Sequence, residues 1–296
     1  LVVVDEASMT SKKLLDIIDQ EIAFLGIKVL FCGDPAQLQP INEEKSKVFD
    51  YDPEMLDTII RHGDTIANKS KLVRETDQYI DINDIIEKPE ISEINIKDIA
   101  RKFKNFREDP DHIRLLCWTN KQVKLWNSKL RIADYGYKPD DPYSVGDIVI
   151  ANEPCEISNE IVMMNSEEGV ITHVSEEDEF WKLEVDKFSG GTVSVNKLKA
   201  GYEDQIANKL SNLASKAKKA SKEAKKLRGE EKKEKLNERK SLWGQFWSIK
   251  KFYHDIRHCY AMTTHKFQGS TFNNVVLDIK DIDLNKEMEN RNQLVY

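Results

Sequence analysis

Leu1-Val2-Val3-Val4-Asp5-Glu6-Ala7-Ser8 opens the chain as an apolar run that ends on two adjacent acids. An amphipathic stretch from about Ser11 to Leu25 follows, then a second apolar run from Lys28 to Cys32 and a loop from Gly33 to Pro40. This order reads as strand, helix, strand, loop. Short all-apolar strands that alternate with an amphipathic helix imply a parallel sheet with its ligand at the carboxyl edge of the strands. The two acids and the Gly33-Asp34-Pro35 loop fall at that edge. Residues 97 to 133 repeat the pattern, with a helix over Ile99 to Phe106, a strand over Ile113 to Trp118, and a helix opened by Thr119-Asn120 that runs through Val123, Trp126 and Leu130.

Between Pro142 and Leu198 the hydrophobic period changes to two. Gly146 to Ala151, Glu168 to Val174, Phe180 to Val185 and Gly191 to Val195 are short strands separated by Gly and acidic turns, which suggests a small antiparallel barrel. Ile206, Leu210, Leu213, Ala217, Ala220, Ala224 and Leu227 then recur at spacings of four and three. Such spacing places them on one seam of a helix of about 26 residues, with Arg228-Gly229-Glu230 ending it. A return helix rich in Trp243, Phe246, Trp247 and Phe252 completes a protruding hairpin. From Ala261 to Asp278 the α/β character resumes, with a strand over Asn274 to Leu277. The barrel and hairpin therefore read as insertions in the second α/β unit.

At 296 residues the chain is long enough for at least two cores. Its 33% charged content suits a globular protein with one unusually charged part. No apolar run approaches the roughly 18 residues of a membrane helix. Cys32, Cys117, Cys155 and Cys259 are far apart and form no CxxC, so the simplest compartment is a reducing one. Net charge is −7, but Lys209 to Lys240 holds thirteen Lys or Arg against five Glu, a local +8 that leaves −15 elsewhere. A nucleic acid would have to be held by local basic surface and by backbone amides, not by a global field. The chain begins without Met and inside a strand, and it ends on the apolar run Gln293 to Tyr296, so it reads as an internal fragment.

Asp5 and Glu6 at a strand end are what phosphoryl-transfer chemistry needs, one carboxylate for Mg²⁺ and its neighbour to orient the attacking water. Solvated strand termini have the same look. Gln37, on the loop after the neighbouring strand, has the chemistry to hydrogen-bond a terminal phosphate, although Gly-Asp-Pro turns are ordinary loop chemistry. In Ala261 to Thr271, hydroxyls, an imidazole, Lys266, Gln268 and Gly269 crowd a strand-to-helix turn, where Thr263 or Thr264 could equally be an N-cap.

Val3 to Ser8, Gly33 to Pro40 and Thr264 to Thr271 resemble motifs II, III and V of superfamily 1 helicases, in the RecD-like (1B) branch. The Asp5-Glu6-Ala7-Ser8 variant, Thr119-Asn120 after a strand, and a barrel with a charged hairpin ahead of the last motif are most similar to the phage Dda helicases. The resemblance implies an α/β fold of RecA-like P-loop NTPase parallel sheets, one partial and one near-complete, with an inserted SH3-like β-barrel and a helical hairpin. The corresponding division is 1–76, 77–141, 142–200, 201–255 and 256–296. It further implies ATP with Mg²⁺ as cofactors, single-stranded and fork DNA as partners, a single-stranded-DNA-binding or replisome protein beside them, no membrane, 5′ to 3′ translocation, and a cytoplasmic setting in a bacterium or phage-infected host.

Carried over to this chain, the resemblance makes Asp5 the Mg²⁺ ligand and Glu6 the residue that positions water. Gln37 contacts the γ-phosphate, and Arg74 neutralises charge there, its alternative being a surface ion pair. Gln268 and Gly269 approach the nucleotide, and Thr264 and His265 hold the DNA backbone. Thr119 and Asn120 grip phosphates, or simply cap the helix they begin. The sequence contains no G-x-x-x-x-G-K-[ST] and ends before motif VI. The other reading is a non-hydrolysing DNA-binding or replisome scaffold on the same fold. The basic hairpin is either a solvated face or a strut, with Trp243, Phe246 and Trp247 packed against the barrel or a further domain. His254, His258 and Cys259 share one-turn spacing but have no second ligand pair, so packing is the better account of them.

Overall fold

The computed structural model describes residues 1–40, 43, 45–56, 64–75, 99, 109, 111–136 and 141–295. It divides into two compact units, one made of Leu1–Leu130 with Ala261–Tyr296 and the other of Arg131–Tyr260. The helix expected over Ile99 to Phe106 lies outside the described residues, apart from Ile99 itself.

In the first unit, strand Val2–Val4 pairs in parallel with Val29–Phe31. Helix Lys12–Phe24 lies between them in the chain. Ala7, Leu15 and Val48 are buried together with Val4, Phe31 and Phe49 at their margin. A second parallel sheet has Arg114–Cys117 at its centre, flanked by Ala261–Thr263 and Val275–Leu277. All four residues of the central strand are buried, as expected of a parallel strand covered on both faces. Helix Asn120–Tyr135 leaves its carboxyl end.

The second unit is built on antiparallel pairing. Its five-stranded sheet has the order Ile256–His258, Ile148–Ala151, Glu168–Glu176, Phe180–Lys187, Thr192–Leu198. Trp181, Leu183 and Val185 point into the core while Lys182, Glu184 and Asp186 face out, the period-two pattern of a half-covered strand. Gly169 is required where two strands cross closely, because a Cβ there would lie 2.5 Å from the Asp186 carbonyl oxygen. The His254 amide donates to the Asn196 carbonyl at 2.7 Å, so the segment before one edge strand is bonded to the opposite edge strand.

Three details depart from expectation. A ribbon of Cys155–Ile157 and Glu160–Met163 adds a hairpin that the period-two reading passed over. Ser158 and Asn159 turn it with φ of 54° and 66°, the two positive values of a type I′ turn. Strand Ile256–His258, which a border at 256 assigns to the returning α/β segment, instead pairs with Val149–Ala151 in the antiparallel sheet. The first helix of the long hairpin is Glu203–Ala224, 22 residues, and stops short of Leu227. Its seam is otherwise as spaced, with Ile206, Ala217, Ala220 and Ala224 buried. The return helix is Gly229–Phe252 and buries no residue fully. Among the described residues no helix is long and apolar enough to cross a membrane.

Candidate functional site

The site belongs to the first unit and starts from the end of strand Val2–Val4. Glu6 follows in the left-handed region, φ 50° and ψ 41°, a conformation that costs a non-glycine residue of order 1–3 kcal/mol and persists only where its surroundings fix it. What fixes it is on both sides. The Glu6 amide donates to Asp5 Oδ1 at 2.9 Å, and the Ala7 amide donates to the Cys32 carbonyl at 2.8 Å. Gly33 comes next, and a Cβ there would sit 2.9 Å from the Ser8 amide nitrogen, so only glycine lets the loop close on the Ala7–Met9 turn.

The Gly33 to Pro40 loop is braced by its own side chains. Asp34 Oδ1 accepts from the Ala36 amide at 2.9 Å, and Gln39 Nε2 donates to the carbonyls of Pro35 and Gln37 at 3.0 and 2.9 Å. Leu38 is buried among Ile282, Leu294, Trp118, Leu277 and Ile279. Its neighbour Gln37 points its carbonyl oxygen at Gln268, which donates from Nε2 at 3.1 Å.

Gln268 is the junction. Its Nε2 also donates to Glu6 Oε2 at 2.9 Å and lies 3.3 Å from Ser8 Oγ. Two N–H protons therefore face three acceptors, and the negative charge on Glu6 fixes which end of the amide points toward it. The other end, Gln268 Oε1, is buried with no partner among the described residues. Gly269 follows with φ 83°, and a Cβ on it would lie 3.7 Å from Glu6 Oε1. Glu6, Gln37, Gln268 and Gly269 thus come together in one place. Ser8, fully buried, joins them without having been singled out from the sequence; its adjacency to the two acids was the available signal. Gln39 was missed too, and nothing in the spacing marks it as the brace of the loop.

Arg74 ion-pairs with Asp34 at 3.2 Å. The pair is intermediate between the two alternatives, since its partner is the Gln37 loop and not a neighbour on its own helix. Thr264 is buried and its hydroxyl has no partner among the described residues, while Thr263 supplies the cap by accepting from the Lys266 amide at 3.3 Å. His265 is half-buried, and burial lowers its imidazole below the usual value.

At Thr119 the structure supports the capping alternative. Its hydroxyl donates to Asp281 Oδ1 at 2.8 Å and accepts from the Gln122 amide at 3.2 Å. Asp281 Oδ2 also takes the Trp118 and Thr119 amides at 2.8 and 2.7 Å. A carboxylate of the chain itself thus holds the positive end of helix Asn120–Tyr135, the place that the other alternative gives to a phosphate. Asn120 is exposed beside it. His254 and His258 are packing residues: His254 Nδ1 accepts from the Asn196 amide, and His258 pairs with Asp147.

Asp5 fits a hydrated divalent cation, being exposed with only Oδ1 engaged. Mg²⁺ characteristically takes one or two carboxylates plus phosphate and water. The unpaired Gln268 Oε1 and the close-packed Gly33 turn fit a polar ligand that carries its own donors.

A family model described as an AAA domain, a P-loop NTPase family, matches residues 1–93. An uncharacterized protein of Acanthamoeba polyphaga mimivirus is 24% identical over 357 aligned residues, spanning 100% of this chain and 72% of its own length. The N-terminal third is therefore similar to a P-loop NTPase domain, and that similarity indicates a nucleotide-dependent activity.

Proposed function

We propose that the chain is the main part of an ATP-dependent DNA helicase of the superfamily 1B kind, moving 5′ to 3′ on single-stranded DNA. The observation that supports this best is the Gln268 amide, which hydrogen-bonds Glu6 and Gln37 together. It joins at one point the three segments that resemble motifs II, III and V.

In this reading Asp5 holds Mg²⁺, which when bound offsets phosphate charge. Glu6 orients the attacking water and accepts its proton. Gln37 senses the terminal phosphate, and Arg74 reaches the same phosphate on leaving Asp34. Gln268 keeps Glu6 aimed until substrate competes for the carboxylate, and Gly269 leaves the space beside it open. Leu38 passes movement of Gln37 into the cluster around Ile282 and Leu294. Asn120 and His265 are the residues left to meet DNA, since the Thr119 and Thr264 hydroxyls are engaged or buried. A motor of this kind also needs a phosphate loop, and G-x-x-x-x-G-K-[ST] does not occur in these 296 residues.

The test uses the complete gene product. Glu6→Gln should lower DNA-stimulated ATP hydrolysis by roughly 10²- to 10⁴-fold, the range for loss of a general base. Strand displacement should require a 5′ tail. Unchanged hydrolysis in the variant, or displacement from 3′ tails alone, would sink the corresponding part of the proposal.

A further inference from the structure

The loop from Gly33 to Pro40 contains Pro35 and Pro40 and forms no helix or strand, so its main-chain carbonyls must find partners outside any ladder. Gln39 supplies them. Its Nε2 donates to the Pro35 and Gln37 carbonyls, while its Oε1 accepts from the Ser46 amide at 3.2 Å. The partners decide the orientation of the amide, because a flipped group would set its oxygen against two carbonyls. The bonds continue beyond it. Ser46 donates from Oγ to the Thr10 carbonyl at 2.7 Å, and the Thr10 amide donates to the Ala7 carbonyl at 3.0 Å. Gln39, Ser46 and Thr10 are all more than nine-tenths buried.

Ala7 is the residue after Glu6, and its own amide donates to Cys32, the residue before the loop. The hydrogen bonds therefore close a ring that runs from the loop through Gln39, Ser46 and Thr10 to the acid-bearing turn and back. Glu43 adds a further link, its Oε2 accepting from the Lys12 amide at 2.9 Å just beyond Thr10.

Glu6 and Gln37 are thus related in two ways. Gln268 bonds their side chains directly, from a position 231 residues beyond Gln37. Gln39 bonds only main-chain groups of the loop, so it fixes where the loop lies and leaves the Gln37 side chain free to turn about an anchored carbonyl. A ligand that competes for the Glu6 carboxylate loosens the first tie and does not touch the second. We infer that Gln39 is a positioning residue, which through Ser46 and Thr10 sets the spacing of Gln37 from Glu6 and keeps it when Gln268 lets go. That this spacing serves hydrolysis rests on the function proposed above, whereas the spacing itself rests on the hydrogen bonds alone.

Gln39→Leu in the complete gene product tests both halves. A displacement of about 1 Å can cost ~10²-fold in rate, so kcat for DNA-stimulated ATP hydrolysis should fall about 10- to 100-fold, with KM for ATP changed by less than about twofold. The measurement is made where circular dichroism shows the variant folded. A brace that only stabilised the fold would lower the unfolding midpoint and leave kcat alone. Ser46→Ala removes one hydrogen bond and little volume, should lower kcat about fivefold, and carries the test if Gln39→Leu does not fold. Hydrogen–deuterium exchange needs no turnover. Amides of residues 6–10 and 34–40 should exchange faster together in Gln39→Leu and keep their original rates in Gln268→Leu.

Unchanged kcat in the folded variants, a rise in KM alone, or unaltered exchange of the two segments in Gln39→Leu would overturn the inference. Loss of hydrolysis in Glu6→Gln beside normal turnover in Gln39→Leu would remove it and leave the helicase reading standing. A gene product with no ATP hydrolysis at all would remove that reading, and the exchange comparison would then decide the positioning by itself.

Discussion

The two units treat their buried polar atoms differently. In the second, Asp147 is fully buried and saturated. Arg131 Nε donates to it at 2.7 Å, the Ser144 amide at 2.7 Å, and His258 Nε2 lies at 3.2 Å. Arg131 in turn donates to the Asp141 carbonyl and Ser144 Oγ, and Tyr143 stacks on His258 at 5.0 Å. In the first unit, Gln268 Oε1 and Thr264 Oγ1 are buried with no partner among the described residues. Satisfied networks specify a scaffold, while unpaired buried groups gather where a ligand or a motion completes them.

The sharpest way to break that contrast is Asp147→Ala. It leaves Arg131 without its buried counter-ion and should cost about 3–5 kcal/mol, read from urea unfolding of the chain. A cost under about 1 kcal/mol would show that the network is not structural. Gln268→Leu should do the opposite. It removes an orphaned acceptor and leaves Glu6 and Gln37 able to turn to water, so stability should change by no more than ~1 kcal/mol. DNA-stimulated hydrolysis in the complete gene product should nevertheless fall, and equal losses of stability and activity would erase the distinction.

The smallest expected effect is the pH response, to which His265 of the first unit and His254 and Asp255 of the second contribute. Burial lowers the His254 imidazole below its ordinary 6.5, and its ring nitrogen already serves as an acceptor. The folded state therefore favours the neutral ring, and stability present above pH 6.5 declines as pH falls below it. Burial alone would raise the Asp255 carboxyl, but Arg257 and Lys197 outweigh it and hold the group at about 2. Its contribution is present above pH 4 and is lost as pH falls through 2. Thermal unfolding followed from pH 7 to 2 should show a shallow decline and then a steeper one. A flat profile above pH 4 would remove the role given to His254.

Much of this was legible in the sequence where one residue type forces one outcome. The apolar runs Val2 to Val4 and Val29 to Phe31 do pair as parallel strands joined through a helix, although Val3 and Leu30 stay exposed. The resemblance of the Asp5, Gln37 and Gln268 segments also anticipated which side chains would meet. The remainder depends on partners far away along the chain. The Asp147 network needs His258, 111 residues later, and no local pattern announces a buried charge. The border placed at 256 missed strand Ile256–His258 because three residues are too few to distinguish periods of 3.6 and two. At Thr119 the deciding partner, Asp281, is 162 residues distant.

Gln37 and Leu38 are neighbours with opposite attachments, one held by an amide hydrogen bond and the other by oily packing. A lever needs such a fulcrum. If the Gln37 side chain is drawn away from Gln268, the peptide between them tilts and Leu38 must slide against Ile282 and Leu294. A tug at the polar rim is thereby converted into a shift of the greasy interior.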